Sequence, residues 1–431
     1  MNTITLAARA KGPFALFQRA RSIAGRYGLT PARMDQSLQR YTEVLRRFDC
    51  GASFPITAVT LKRHSNTIVK YLDLNIEFAV HGYTHINYGQ LTPEAQLAHL
   101  QLAREIFTKA GITPTGFRSP YLSRDTDQYA ALEAAGFSYL SNQPVMWDVF
   151  DANAFSYSNN VGFERALAFY DPWRAGERSS LPQMIGQLVE IPVSLPDDEI
   201  LIERLGGVNG LVKKTWLRIL SQTYQRGELF TLQLHPERIA LCTEGLSAVL
   251  TEARALTPAV WCARLDEIAA WWKARAVATI EITDTDAGGY HCVVTGPAGT
   301  TVLARAVEVD MPTLPWADGY CQVGAMSFTV NAPFRPFIGL SPGTSSKLTN
   351  WLRQQGYIIE ISEEKHRYRC YFDQPEFSTK QESLLSAQIE ETDMPLVRLG
   401  RWPSGAHSGL CITGDIDALT LWDYGFRLMG K

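Results

Sequence analysis

Hydrophobic and polar positions change their rhythm twice along this chain. Up to about residue 275, short apolar runs alternate with stretches of helical periodicity. The runs Ser53–Ala58, Ile76–Val80, Ser138–Leu140, Leu188–Val193 and Leu229–Leu234 predict buried strands. Between them, Leu97, Leu100, Ala103, Ile106 and Phe107 recur at helical spacing and predict a helix over Pro93–Ala110. Thr92 can cap it, Pro93 suits its first turn, and Gly111 ends it. A second helix is predicted over Thr126–Ala135, stopped by Gly136. Strands alternating with helices over this length predict a parallel α/β architecture, either a barrel or an open sheet. Functional residues are then expected at the carboxyl ends of the strands.

Near Arg275 the texture becomes β-rich. Thr279–Ile282, Tyr290–Thr295 and Thr300–Val309 are β-branched runs separated by Asp-Ala-Gly-Gly and Gly-Pro-Ala-Gly turns. One helix, Ser345–Gln355, and the strand Tyr357–Ile361 interrupt this module, and residues 376–398 read as a helix and connector. From Arg401 the pattern turns back. A strand, Gly409–Thr413, precedes Gly414-Asp415-Ile416-Asp417 and a helical tail over Ala418–Met429, the same strand–helix unit as in the first part.

Composition narrows the class. With 431 residues, two or three domains are expected, and 45% hydrophobic with 20% charged residues is globular composition. A net charge of −3 lacks the basic excess of a nucleic-acid binder. No apolar run reaches the length of a transmembrane helix. The start has no long apolar h-region, and seven scattered cysteines without a Cys-x-x-Cys pair read as reduced thiols. A cytoplasmic location is the resulting expectation.

Several residues could carry chemistry. His81 and His85, four apart after a strand, would face one metal ion if they lie on a helical turn; surface or core histidines are the plain alternative. Asp415 and Asp417 share one side of an extended chain and could divide metal binding and base catalysis, or simply form a polar turn. In Leu229–Leu234, Thr231, Gln233 and then His235 share the face opposite Phe230, Leu232 and Leu234. His235 could protonate a leaving group or be structural. Arg118 could hold a carboxylate by a bidentate contact or lie at the surface. Asp148, after Trp147, could orient a histidine or cap a helix.

As a set, these pieces resemble the polysaccharide deacetylases of carbohydrate esterase family 4. The resemblance runs over about residues 25–240, in the family's order. Phe78-Ala79-Val80-His81-Gly82-Tyr83-Thr84-His85 resembles the metal-binding histidine motif. Gly116-Phe117-Arg118-Ser119-Pro120-Tyr121 resembles the arginine–proline motif, and Leu232-Gln233-Leu234-His235-Pro236 the late histidine motif. Glu190-Ile191-Pro192-Val193 matches a further common segment. The family's opening strand with paired aspartates has no counterpart before Ile56; Leu410–Ala418 resembles it instead.

The resemblance implies an α/β fold: a distorted (β/α)7-type deacetylase barrel. In this chain it would be circularly permuted and would carry an inserted β-rich module. The barrel would use residues 1–275 and 401–431, and the module 276–400. The implied metal ligands are His81, His85 and Asp417, for one divalent ion, usually zinc. Asp415 is the implied base, held by Arg118. The Tyr121 backbone N–H would stabilise the oxyanion, His235 would act as acid, and Asp148 would orient it. The implied reaction removes N-acetyl groups from a saccharide or polysaccharide precursor. A cyclic-amide hydrolase and a non-catalytic glycan binder are the rival readings. The β-rich module is expected to bind glycan, to shape the active-site rim, or to join two copies into a homo-oligomer, with Trp316 and Tyr320 stacking on sugar or packing in a core. A neighbouring chain supplying Asp417 is the alternative to permutation.

Overall fold

The computed structural model describes residues 23, 25–149, 156–207, 210–390 and 394–430. Its main sheet is built from β1 (Ala52–Ile56), β2 (Ile76–Val80), β3 (Gly116–Phe117), β4 (Tyr139–Leu140), β5 (Pro144–Met146), β6 (Leu188–Glu190), β7 (Val193–Leu195), β8 (Leu229–Gln233) and β9 (Ser408–Thr413). Every neighbouring pair among these is parallel: β9–β1–β2–β3–β4–β6 on one side, β9–β8–β7–β5 on the other. Ser141–Gln143 joins β4 to β5, and Ile191–Pro192 joins β6 to β7. The two bent segments therefore lie side by side, and the sheet curls back on itself into a distorted α/β barrel. Strands β1, β8 and β9 are buried along their whole length, as parallel strands covered on both faces require.

The last strand takes a central seat. β9 pairs with β8 from Leu229↔Gly409 to Gln233↔Thr413, and with β1 at Ser53↔Thr413. Beyond it, Gly414 N–H donates to Ser53 O and Ile416 N–H to Pro55 O, which extends the ladder through both aspartates. Gly414 is required here: a Cβ would lie 2.8 Å from the Phe54 ring. The chain then enters helix Leu421–Leu428, capped by a Thr420–Asp423 box. Asp423 also accepts from Arg63 and pairs with His64. Leu421 N–H donates to Gly28 O, and the Tyr27 and Tyr424 rings lie 5.6 Å apart, so the tail packs on the first residues of the barrel.

Local signals held where they were strong. The helix Pro93–Lys109 starts at Thr92, whose hydroxyl accepts from Ala95 N–H, and Thr126–Ala134 ends before Gly136 at φ +76°. In the insert, two predictions need correction. Thr300–Val309 is not one strand: Ala306, at φ +51°, breaks it into Val302–Arg305 and Glu308–Val309. The expected connector up to residue 398 contains a strand, Leu396–Leu399, because Val302–Arg305 offers it an antiparallel edge. The insert buries its own apolar residues around Ile338, Leu340 and Leu352, and around Phe328, Val330 and Phe337.

Candidate active site

The carboxyl ends of β2, β8 and β9 open into a cavity of about 710 Å³, lined by His81, His85, Tyr121, His235, Asp415 and Asp417, among others. His81 follows β2 directly. The segment to His85 is not the helical turn expected. Gly82 turns the chain at φ +81°, where a Cβ would meet Thr84 O at 2.9 Å. That turn, rather than helical spacing, brings the imidazoles together, with ring centroids 5.1 Å apart.

Both histidines meet Asp417. Oδ1 of Asp417 lies 3.3 Å from His81 Nε2 and 3.2 Å from His85 Nε2, although Asp417 belongs to the end of the chain. His81 Nδ1 lies 2.9 Å from the carbonyl of Arg118. A carbonyl only accepts, so Nδ1 carries the proton and Nε2 turns its lone pair towards the carboxylate. Among the described residues, Asp417 Oδ1 has no hydrogen-bond donor of its own. A lone pair facing a buried carboxylate oxygen that lacks a donor is an arrangement a cation would satisfy. Two nitrogens and one oxygen make a donor set with room for a further ligand, so these residues fit a divalent metal. The other carboxylate oxygen of Asp417 is held by Arg427 at 2.6 Å, and Asp417 titrates well below the usual range. Burial opposes this, but Arg427 and His85 outweigh it.

Asp415 is gripped separately. Arg118 Nη1 donates to its Oδ1 at 2.7 Å and Gln233 Nε2 to its Oδ2 at 3.0 Å. Arg118 is fully buried, not at the surface. It does not make the expected bidentate contact. Its Nε and Nη2 donate to the carbonyl and hydroxyl of Ser141, and Nη1 also reaches Thr413. The guanidinium thus ties β4 to β9 as well as aiming the carboxylate.

His235 follows β8 and one residue, Leu234. Its Nδ1 lies 2.8 Å from Asp198 Oδ1, and its backbone N–H donates to Asp198 Oδ2. Burial would push the imidazole pKa down, but the Asp198 carboxylate overcomes this and raises it to about 10. Asp198 itself is held below the usual carboxylate range: burial pushes it up, and His235 and Arg238 pull it further down. Its neighbour Asp197 is pushed up to about 7 by burial and by Asp198.

Asp148 is therefore not the orienting residue. Its side chain is exposed, outside the cavity, while Trp147 beside it is buried in the core. Asp198 takes the role because it follows the carboxyl end of β7, next to β8 in the sheet. The sequence signal was present in Leu195-Pro196-Asp197-Asp198: carboxylates directly after a strand. Arg427 carried no such signal, since it is one basic residue in a helix's last turn. Tyr121 lines the cavity at φ +61°, with its ring edge-on to His85 at 4.6 Å.

Residues 29–140 match the family model described as polysaccharide deacetylase. This stretch of the chain is similar to the polysaccharide deacetylase family. The match spans the strands that carry His81, His85 and Arg118, and it stops before β8 and β9. No curated protein sequence matches. Among solved structures, the chain is similar to a polysaccharide deacetylase from Mycobacterium smegmatis, with 21% identity and a TM-score of 0.41 over 54% of this chain and 76% of that one. It is also similar to a polysaccharide deacetylase from Pseudomonas aeruginosa, with 18% identity and a TM-score of 0.42 over 55% and 72%. A carbohydrate esterase family 4 pseudoenzyme from Bacillus anthracis shares 16% identity, with a TM-score of 0.32 over 55% and 61%.

Proposed function

We propose that this protein is a metal-dependent hydrolase that removes N-acetyl groups from an acetylated saccharide, such as a polysaccharide precursor in the cytoplasm. One observation carries the reading: Asp417 meets His81 and His85 at a single oxygen, beside an Asp415–Arg118 pair and a His235–Asp198 pair. His81, His85 and Asp417 would hold the ion, and zinc suits that donor set. When bound, a divalent ion supplies Lewis acidity to the acetamide carbonyl and lowers the pKa of water.

The chain's own residues do the rest. Asp415, aimed by Arg118 and Gln233, takes a proton from the attacking water. The N–H of Tyr121 donates to the oxyanion as the carbonyl becomes tetrahedral. The C–N bond then breaks, and His235 gives its proton to the departing amine. Asp198 keeps that proton on the ring until it is needed and leaves Nε2 free to deliver it. The products are acetate and a free amine on the sugar.

A permuted barrel is part of this reading. Its support is the seat of β9 between β8 and β1, which puts a strand coded last where the ligand-bearing first strand would lie. Metal content measured in the parent and in Asp417→Ala tests the site, alongside acetate release from N-acetylated saccharides. About one equivalent of metal, lost in the variant together with turnover, is expected. Equal metal in both proteins would place the third ligand elsewhere and overturn the reading.

A further inference from the structure

A second cavity, of about 670 Å³, lies where the insert meets the barrel, and the reaction proposed above does not use it. Its barrel-side walls, Gln225–Glu228 and Arg401–His407, directly precede β8 and β9. The catalytic groups follow the other ends of the same strands. A six-residue strand spans about 20 Å, so the two cavities open at opposite ends of the barrel. This position removes the insert's contact here from the active-site rim.

Three arginines and three carboxylates line this cavity, and they are unevenly paired. Arg401 is only 8% exposed, yet no carboxylate pairs with it among the described residues. Its Nη1 donates to the carbonyls of Arg226 and Gly227, its Nη2 reaches only Ser386 Oγ at 3.5 Å, and its Nε has no partner. Arg226, exposed at the mouth, also lacks a carboxylate partner among the described residues. Glu390 is already taken by Arg305, Arg398, Tyr320 and Tyr357, Glu228 accepts from Ser180 N–H, and Asp318 lies beside His407. A buried guanidinium whose donors meet no carboxylate directly is costly, and an anionic ligand that took those donors would relieve part of that cost.

The cavity also has an aromatic wall. Trp316 is fixed by its Nε1 donating to Gly405 O at 2.9 Å. The rings of Tyr320 and His407 stand edge-on to it, at 84° and 71°. Among the described residues, His407 Nδ1 has no hydrogen-bond partner. A flat aromatic side chain beside guanidinium groups that meet no carboxylate directly, and beside hydroxyls, is chemistry that holds a sugar ring carrying an oxyanion.

We propose that this cavity is a second ligand site, separate from the catalytic one, that takes an anionic saccharide. A carboxylate or phosphate meets Arg401 and Arg226, and the sugar ring packs against Trp316. The insert would then hold a charged part of a glycan, or a charged sugar regulator, away from the reaction.

Calorimetric titration of the full chain with glucuronate, glucose 1-phosphate, glucose and inorganic phosphate tests this. Binding of glucuronate or glucose 1-phosphate, at least tenfold tighter than of glucose, is expected. Which of the two binds tells a uronate site from a sugar-phosphate site. Binding should weaken at least tenfold in Trp316→Ala and in Arg226→Gln, with the fold of the latter checked by circular dichroism because Arg226 also donates to Ala175 O and lies over the Trp147 ring. It should be unchanged in Asp417→Ala. No binding of either anionic sugar, or binding lost in Asp417→Ala and kept in Arg226→Gln, would overturn the proposal. Inorganic phosphate binding as tightly as glucose 1-phosphate, with Trp316→Ala without effect, would overturn its saccharide half.

Discussion

His235 holds its proton because Asp198 sits on the other ring nitrogen, and that single contact sets how the site should respond to pH. The imidazole pKa is raised to about 10, so the acid stays loaded across the neutral range and is lost only as pH rises towards that value. In Asp198→Asn the charge that raises it is gone. The alkaline limb of kcat should then move towards neutral pH, and kcat near pH 8 should fall about 10²- to 10⁴-fold, the usual worth of acid–base catalysis. A pH–rate profile of the variant checks this; an unmoved alkaline limb would remove Asp198 from the mechanism. Arg118→Lys tests the partner grip. A lysine cannot serve Ser141, Thr413 and Asp415 at once, so activity should drop by about 10²-fold or more, with metal content retained. At this scale the residue types were readable in advance: two histidines after a strand, paired aspartates at period two, a histidine on a polar strand face. Their partners were not. Nothing local in Trp147-Asp148 says that its carboxylate faces solvent, whereas Asp198 becomes visible only when β7 is known to lie beside β8.

Elements here are short, and their seats matter more than their lengths. β3 has two residues, yet it carries Arg118 into the barrel. Gly116 lies against Tyr139, where a Cβ would fall 1.8 Å from the ring. Tyr139 is fully buried and its hydroxyl donates to Glu77, so it cannot swing away. Gly116→Ala should therefore destabilise the fold by about 1–3 kcal/mol or more. Urea unfolding reads this as a lower midpoint at unchanged slope. In the core, Leu232→Ala on β8 should cost about 2–5 kcal/mol by loss of buried surface and a cavity. Strong periodic elements such as Pro93–Lys109 and Leu229–Gln233 were legible from sequence. The strand Leu396–Leu399 was not, because its partner Val302–Arg305 lies far away in the chain. The histidine turn was misread as helical because spacing of four says nothing about the positive φ at Gly82.

Across the whole molecule, buried carboxyl groups give the stability a slope with pH. Burial pushes Glu190 and Glu382 up to about 7. Glu190 receives the N–H groups of Asn142 and Gln143 on one oxygen, and its other oxygen has no partner among the described residues. A carboxyl whose folded pKa is raised favours the folded state in its protonated form. Its contribution is full below the unfolded value of about 4.3 and is lost as pH rises through about 7. These two groups should therefore lower the melting temperature between pH 5 and pH 8. Scanning calorimetry of Glu190→Gln and Glu382→Gln should show a shallower decline in each; an unchanged slope would mean that other groups control it.

Sequence was enough for the alternating strands and helices, the β-rich insert, the order of the motifs and the kinds of residue that could bind metal or move protons. These are near-neighbour properties: side-chain period, capping and turn chemistry act within a few residues of one another. The folded chain was needed to put Asp417 on His81 and His85, to choose Asp198 over Asp148, to give Arg118 one contact with Asp415 instead of two, and to leave Arg401 unpaired beneath the barrel. Each of those depends on which strand ends lie side by side, and the hydrogen-bonded order of a sheet is decided by packing between segments that chain separation keeps apart.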